Sequence, residues 1–380
     1  MTQIAELRVH SKQLVLQLNS QGVATGWVHL LDQNAGLLSQ HSTAIRIDRN
    51  GKKIWSGPIF GLTPTSDNQG NDQLQVSAQG QFQILNQRLV HTGAEFAAMI
   101  GSQSYTQLGT DGATTLTYSV AQNSLTTDAA IIFDLLQRAN IDSPTGITQG
   151  SIYGTPNQRN LTLQRFQYVG QQITQLINVE GGVDFYIDPV TLQMNLYGIG
   201  SSGSSNLSSG YGVDRGSGCL FTYPGNCTAA SRPADGTKTA DRIEAIGQYG
   251  VARADNLAAQ AQQGLFEDQD SLSDVVDPNI LAAFANAEVA VRAYPWAILT
   301  FTPRGVIPAD YKNPGVPRPF DDYNIGDIVY ATVNRGPAFQ IGVAQPQAVR
   351  VFGFTVNWDD EDVEKVTNLQ TNYGSPVSGT

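Results

Sequence analysis

Apolar and polar residues alternate along both ends of the chain, and the spacing becomes helical in between. Within residues 45–62 two alternating runs meet at Asn50-Gly51. That dipeptide is a strong hairpin signal, because both positions of the tight turn need positive φ. A third run, residues 74–80, follows the polar break at 66–70. Residues 13–18 and 23–31 add two more strands, so the chain opens as a small antiparallel meander. Near the other end, residues 323–333 predict a strand entered through Gly326-Asp327, and residues 349–358 alternate again.

The middle reads differently. Glu95–Ile100 is a short helical turn. Residues 128–140 predict a helix with Ile131, Ile132, Leu135 and Leu136 on one stripe, Ser124 or Thr126 as its cap, and Asn140 at its end. A second helix covers 169–180, with Ile173, Leu176 and Ile177 inward and Gly181-Gly182 as its stop. Residues 183–189 and 192–197 then pair across an Asp188-Pro189 turn. Residues 198–218 are rich in Gly and Ser and read as a linker or long loop. Residues 241–250 return to a sheet. Residues 277–293 form a helix with Pro278 at its start and Ile280, Leu281, Phe284, Ala287 and Val291 on one face. The stretch 306–319 is a Pro-rich structured loop, and the tail after Asn372 is expected to be unstructured.

The expected fold is therefore mainly β with α+β parts: two small β-barrel domains, an α+β domain between them, and a helical insertion before the second barrel is completed. The boundaries are residues 1–92 for the first barrel and 93–197 for the α+β domain. A linker or loop covers 198–236. The second barrel is 237–370, with the insertion at about 255–294, and a flexible tail covers 371–380.

Composition narrows the function classes. At 380 residues the chain has room for a large core. A net charge of −11 argues against nucleic-acid binding through a basic footprint. No apolar run reaches the roughly 18 residues of a membrane span. The first residues lack the basic and apolar regions of a signal peptide, so synthesis in cytoplasm is expected. Cys219 and Cys227 could bridge if oxidised, but cytosolic folding favours a reduced pair. The four histidines all precede Thr92 and suggest no metal site.

Candidate chemistry is sparse. Gly198-Ile-Gly-Ser-Ser-Gly203 matches a dinucleotide fingerprint in form, but Gly and Ser follow it where a phosphate cradle needs a helix N-terminus. Asp359–Asp362 with Glu364 has oxygens for calcium without a calcium loop's spacing, and Asp268 with Asp270 reads the same way. Glu180 and Asp184 could be paired glycosidase carboxylates, or simply a helix end and the solvent side of a strand. Trp27, Trp55, Trp296 and Trp358 lie in or beside strands, where core anchoring competes with a sugar platform. His29 and His41 flank one loop as ordinary satisfied polar residues. No catalytic, cofactor-binding or metal-binding residue is assigned, and no enzyme activity is expected.

One resemblance adds to this. Ile54-Trp55-Ser56-Gly57-Pro58-Ile59, then Leu74–Gly80 and Leu85-Asn86-Gln87-Arg88, resembles the opening barrel of tail proteins of long-tailed phages, the siphophage minor tail or baseplate hub proteins. These are similar to the central hub of contractile tails. The helix at 169–180 leading into Gly182-Val183-Asp184-Phe185 resembles that family's second domain, and residues 324–329 and 349–356 resemble its closing barrel. The resemblance implies a homotrimeric hub ring in the virion's tail tip. Its implied partners are a distal tail or tail tube protein, a tape measure protein, and other tip or fibre proteins. Genomic DNA would pass without specific binding, past carboxylates that repel phosphate. The chain ends soon after the last strands, where many relatives carry a fibre, spike or lytic domain, so no wall-degrading or receptor role is expected. The alternatives are a β-rich glycoside hydrolase of cell-wall or other polysaccharide, and a carbohydrate-binding adhesin.

Overall fold

The structure, a computed structural model, describes residues 7–20, 22–66, 70, 72–101, 108–123, 125–141, 143–178, 182–198, 212–235, 237, 239–272, 275, 277–294, 296–305, 315–337 and 339–372. Ser124, Glu180, Gly181, most of the Gly/Ser stretch, residues 306–314 and the tail lie outside the described residues.

The alternating N-terminal runs form β1 (Val9–Gln17), β2 (Val23–His29), β3 (Ala44–Arg49), β4 (Lys52–Thr65) and β5 (Gln73–Gln79). Asn50 and Gly51 have φ of 51° and 75°, and Arg49 pairs with Lys52, so the two-residue turn is as the sequence predicts. In β5, Leu74, Val76 and Ala78 are buried while the residues between them are more open. A 3-10 turn, Gln81–Gln87, leads to α1 (Gly93–Ile100).

The middle contains β6 (Thr110–Asp111), β7 (Thr115–Tyr118), α2 (Asp128–Ile141), β8 (Thr148–Tyr153), β9 (Leu161–Gln164), α3 (Val169–Ile177), β10 (Asp184–Ile187) and β11 (Gln193–Tyr197). The predicted stripe of α2 is fully buried. Its cap is Thr127, whose Oγ1 accepts from the Ala130 amide at 3.2 Å; Thr126 instead turns its hydroxyl to the Ser119 carbonyl. The Asp188 carboxylate accepts the amides of Val190 and Thr191 and closes the β10–β11 hairpin.

Then come β12 (Leu220–Tyr223), β13 (Cys227–Ser231), β14 (Ala234–Asp235), β15 (Arg242–Gly247), β16 (Val251–Asp255), α4 (Leu257–Gln263), β17 (Glu267–Leu272) and α5 (Pro278–Arg292). Asp277 caps α5 by accepting from the Asn279 amide, and Pro278 stands where its missing N–H has no role. The inward face runs through Ile280, Leu281, Ala285 and Val289; Val291, expected inward, is 53 % exposed. The last strands are β18 (Trp296–Pro303), β19 (Ile328–Asn334), β20 (Gln340–Ile341), β21 (Gln347–Trp358) and β22 (Glu364–Asn372).

The fold is mainly β with α+β parts, but the two ends are not separate closed barrels. One open ladder runs β13-β18-β22-β21-β1-β2-β5-β4-β3, with β12, β14, β19 and β20 branching from it. The join is β1, whose second edge takes β21 from Lys12↔Trp358 to Gln17↔Gly353. A strand with two free edges completes its backbone hydrogen bonds on both sides, and here the second partner comes from the far end of the chain. The ends still keep two cores. One gathers Leu14, Trp55, Ile59 and Val76; the other gathers Phe221, Phe301, Val329 and Phe354. The third and largest core joins α2, α3 and β10–β11 to the sheet β16-β15-β17 and α5.

Candidate functional site

Among the described residues the sequence-derived carboxylates do not converge, and Glu180 lies outside them. Asp184 is buried at the start of β10, where three parts of the chain meet. Its Oδ1 accepts from Asn19 Nδ2 at 2.7 Å, and its Oδ2 accepts from Arg350 Nη2 at 2.5 Å. Asn19, at φ 57° just past β1, also accepts the Phe185 amide at 3.0 Å. Arg350, on β21, donates from Nε to the Gly326 carbonyl. Asp184 therefore pins the N-terminal strands, the middle block and the C-terminal strands together.

Asp359–Asp362 is the tip of the β21–β22 hairpin. Asp359 Oδ1 accepts the amides of Glu361 and Val363, Asp360 meets His10, and Asp362 meets Lys12. Glu364 turns away to Arg49, which donates from Nε at 2.7 Å and holds Asp321 at 2.8 Å with Nη1. Burial raises the Glu364 pKa against the pull of Arg49. Asp268 and Asp270 both pair with Arg292. Among the described residues no group of three or more His, Cys, Asp or Glu could hold a metal ion.

Trp55 is buried in the N-terminal core, and Trp358 packs between the two strand cores. His29 accepts the Leu31 amide on Nδ1, and His41 meets the Phe60 ring edge-on at 4.9 Å. Cys219 and Cys227 are free and buried, and burial pushes both thiols up to about 12. Of the formal dinucleotide fingerprint only Gly198 is described; it lies against Thr155 and Pro156.

Sequence reasoning missed the residues that hold the modules together. Asp327 is one: its carboxylate accepts the Val213 and Asn324 amides at 2.8 Å each and Arg215 Nε at 2.6 Å. Gly326-Asp327 was visible as a strand lead-in, but not as a tie to residues 213–215. Arg350 sits inside an alternating run and carries no local sign of its role. A cavity of about 90 Å³ lies beside this junction, lined by all three parts of the chain.

What the described residues assemble is a set of charged joints between β modules, without a convergent reactive centre among them. No family model matches the chain, and no curated protein matches it. Solved structures do. The tail protein from Neisseria meningitidis MC58 aligns with a TM-score of 0.59 at 12 % identity, over 97 % of this chain and 93 % of that one. The 43 kDa tail protein of prophage MuSo2 from Shewanella oneidensis aligns with a TM-score of 0.53 at 13 % identity, over 95 % and 93 %. At such identity the likeness is one of fold: this chain has, over nearly its whole length, the fold of these two tail proteins.

Proposed function

We propose that the chain is a structural component of a phage tail tip: a homotrimeric baseplate hub of the siphophage minor-tail type, located in the virion. The observation that carries this reading is the near full-length fold likeness to two tail proteins. Two β cores per chain, bound through one ladder, fit a ring in which three chains offer six β modules to a sixfold tube on one face and threefold tip proteins on the other. Its partners would be the distal tail or tube protein, the tape measure protein and further tip or fibre proteins. The net charge of −11 suits a channel wall that repels passing DNA during genome ejection.

The reading assigns no catalysis. The hydrolase alternative uses Glu180 or Asp184; both oxygens of Asp184 are engaged by Asn19 and Arg350, and Glu180 lies outside the described residues. The adhesin alternative needs exposed tryptophans; Trp55 is buried, and Trp27 and Trp358 are half-buried. Electron microscopy of particles labelled with antibody against this chain tests the assignment. Label confined to the end of the tail is expected. Label on the capsid, or none on the particle, would reject it.

A further inference from the structure

The cavity at the module junction is mostly walled by apolar side chains, among them Leu18, Phe82, Phe185 and Phe320. Two of its lining residues are polar and more than nine-tenths buried: Ser56 on β4 is 6 % exposed, and Gln81, at the start of the 3-10 turn, is 5 % exposed. Ser56 Oγ and Gln81 Nε2 have no hydrogen-bond partner among the described residues. Buried polar atoms without partners are rare, because each forfeits its bonds to water. Neighbouring polar groups do not relieve them. Asn19 spends both ends of its amide on Asp184 and Phe185, and Asn324 Oδ1 takes the Ile325 amide.

We propose that this cavity is a water site. Its occupant must accept from the Gln81 amide and either donate to or accept from the Ser56 hydroxyl. Water does both, and an apolar ligand does neither. The roughly 90 Å³ open to the centre of a water molecule is well above the roughly 10–15 Å³ that one water needs. Once bound, water links β4 and the 3-10 turn at the point where the N-terminal strands, the β10–β11 hairpin and residues 320–325 abut. Mostly apolar walls beside two unpaired polar groups favour water over a larger polar ligand.

A high-resolution crystal structure of the full chain decides the matter, with a second crystal pressurised with xenon. Ordered waters within hydrogen-bond distance of both Ser56 Oγ and Gln81 Nε2, and no xenon in the cavity, are the expected result. A cavity that takes up xenon, or density for a molecule other than water, overturns the proposal. Ser56→Ala and Gln81→Met give an independent check. Each should lower the Tm, since each removes a partner of bound water. A raised Tm in both would mean that the two groups were unsatisfied in a dry cavity, and would contradict the site.

Discussion

At the scale of single residues, burial sets the chemistry. Asp128 opens α2 fully buried, and desolvation raises its carboxyl to about 7 despite Arg159 at 2.9 Å. Its ordinary value is 3.8, so between those two values the folded chain keeps a proton that the unfolded chain has lost. This group's contribution is therefore full below its unfolded pKa, declines as pH rises, and is gone above about pH 7. Urea unfolding across that range should show stability falling with pH from this source, and Asp128→Asn should flatten that part of the slope. Equal slopes in the two proteins would contradict the account. The two cysteines give a simpler test. With both thiols buried and raised to about 12, neither should react with a thiol reagent near neutral pH until the protein is denatured, and both should react afterwards. Rapid labelling of the native protein would contradict their placement. None of this was legible in the sequence. The cysteines were visible as a spaced pair, but their burial depends on β12 and β13 closing over the C-terminal core.

At the scale of elements, local signals were read well and long-range ones were not. The Asn50-Gly51 hairpin, the buried stripe of α2 and the Asp277-Pro278 start of α5 all follow from neighbouring residues. Val291 fell on the wrong side, because Ala283, Ala285 and Val289 bring the buried face of α5 round to smaller residues that periodicity alone ranks lower. The β1–β21 pairing was not legible at all. Gln13 and Asn357 bond across 344 positions of sequence, and no local pattern says which edge an alternating strand will offer to which partner. Asp184 belongs to the same class of contact: its role is set by Asn19 and Arg350, each far away in the chain. Replacing Asp184 with Ala leaves the half-buried Arg350 without this carboxylate, which should cost about 3 kcal/mol in chemical denaturation. A loss below about 1 kcal/mol, the range of an exposed pair, would show that the joint does not hold the modules together.

At the scale of the whole molecule, two β cores and an α+β core share one open ladder instead of standing as independent closed barrels. The strand-rich ends and helical middle were legible from hydropathy alone. Their union was not, since it rests on β1 serving both ends. A scaffold built this way transmits position through backbone pairing and through ion pairs such as Arg49 with Glu364 and Asp321. The proposed assembly ring would ask this of its subunit, and the proposal puts the chain's acidity to use on a channel wall. The most direct test is the native mass of the purified full-length protein, measured across a range of concentrations. The account predicts a stable species of three times the single-chain mass. A strict monomer at every concentration would contradict it.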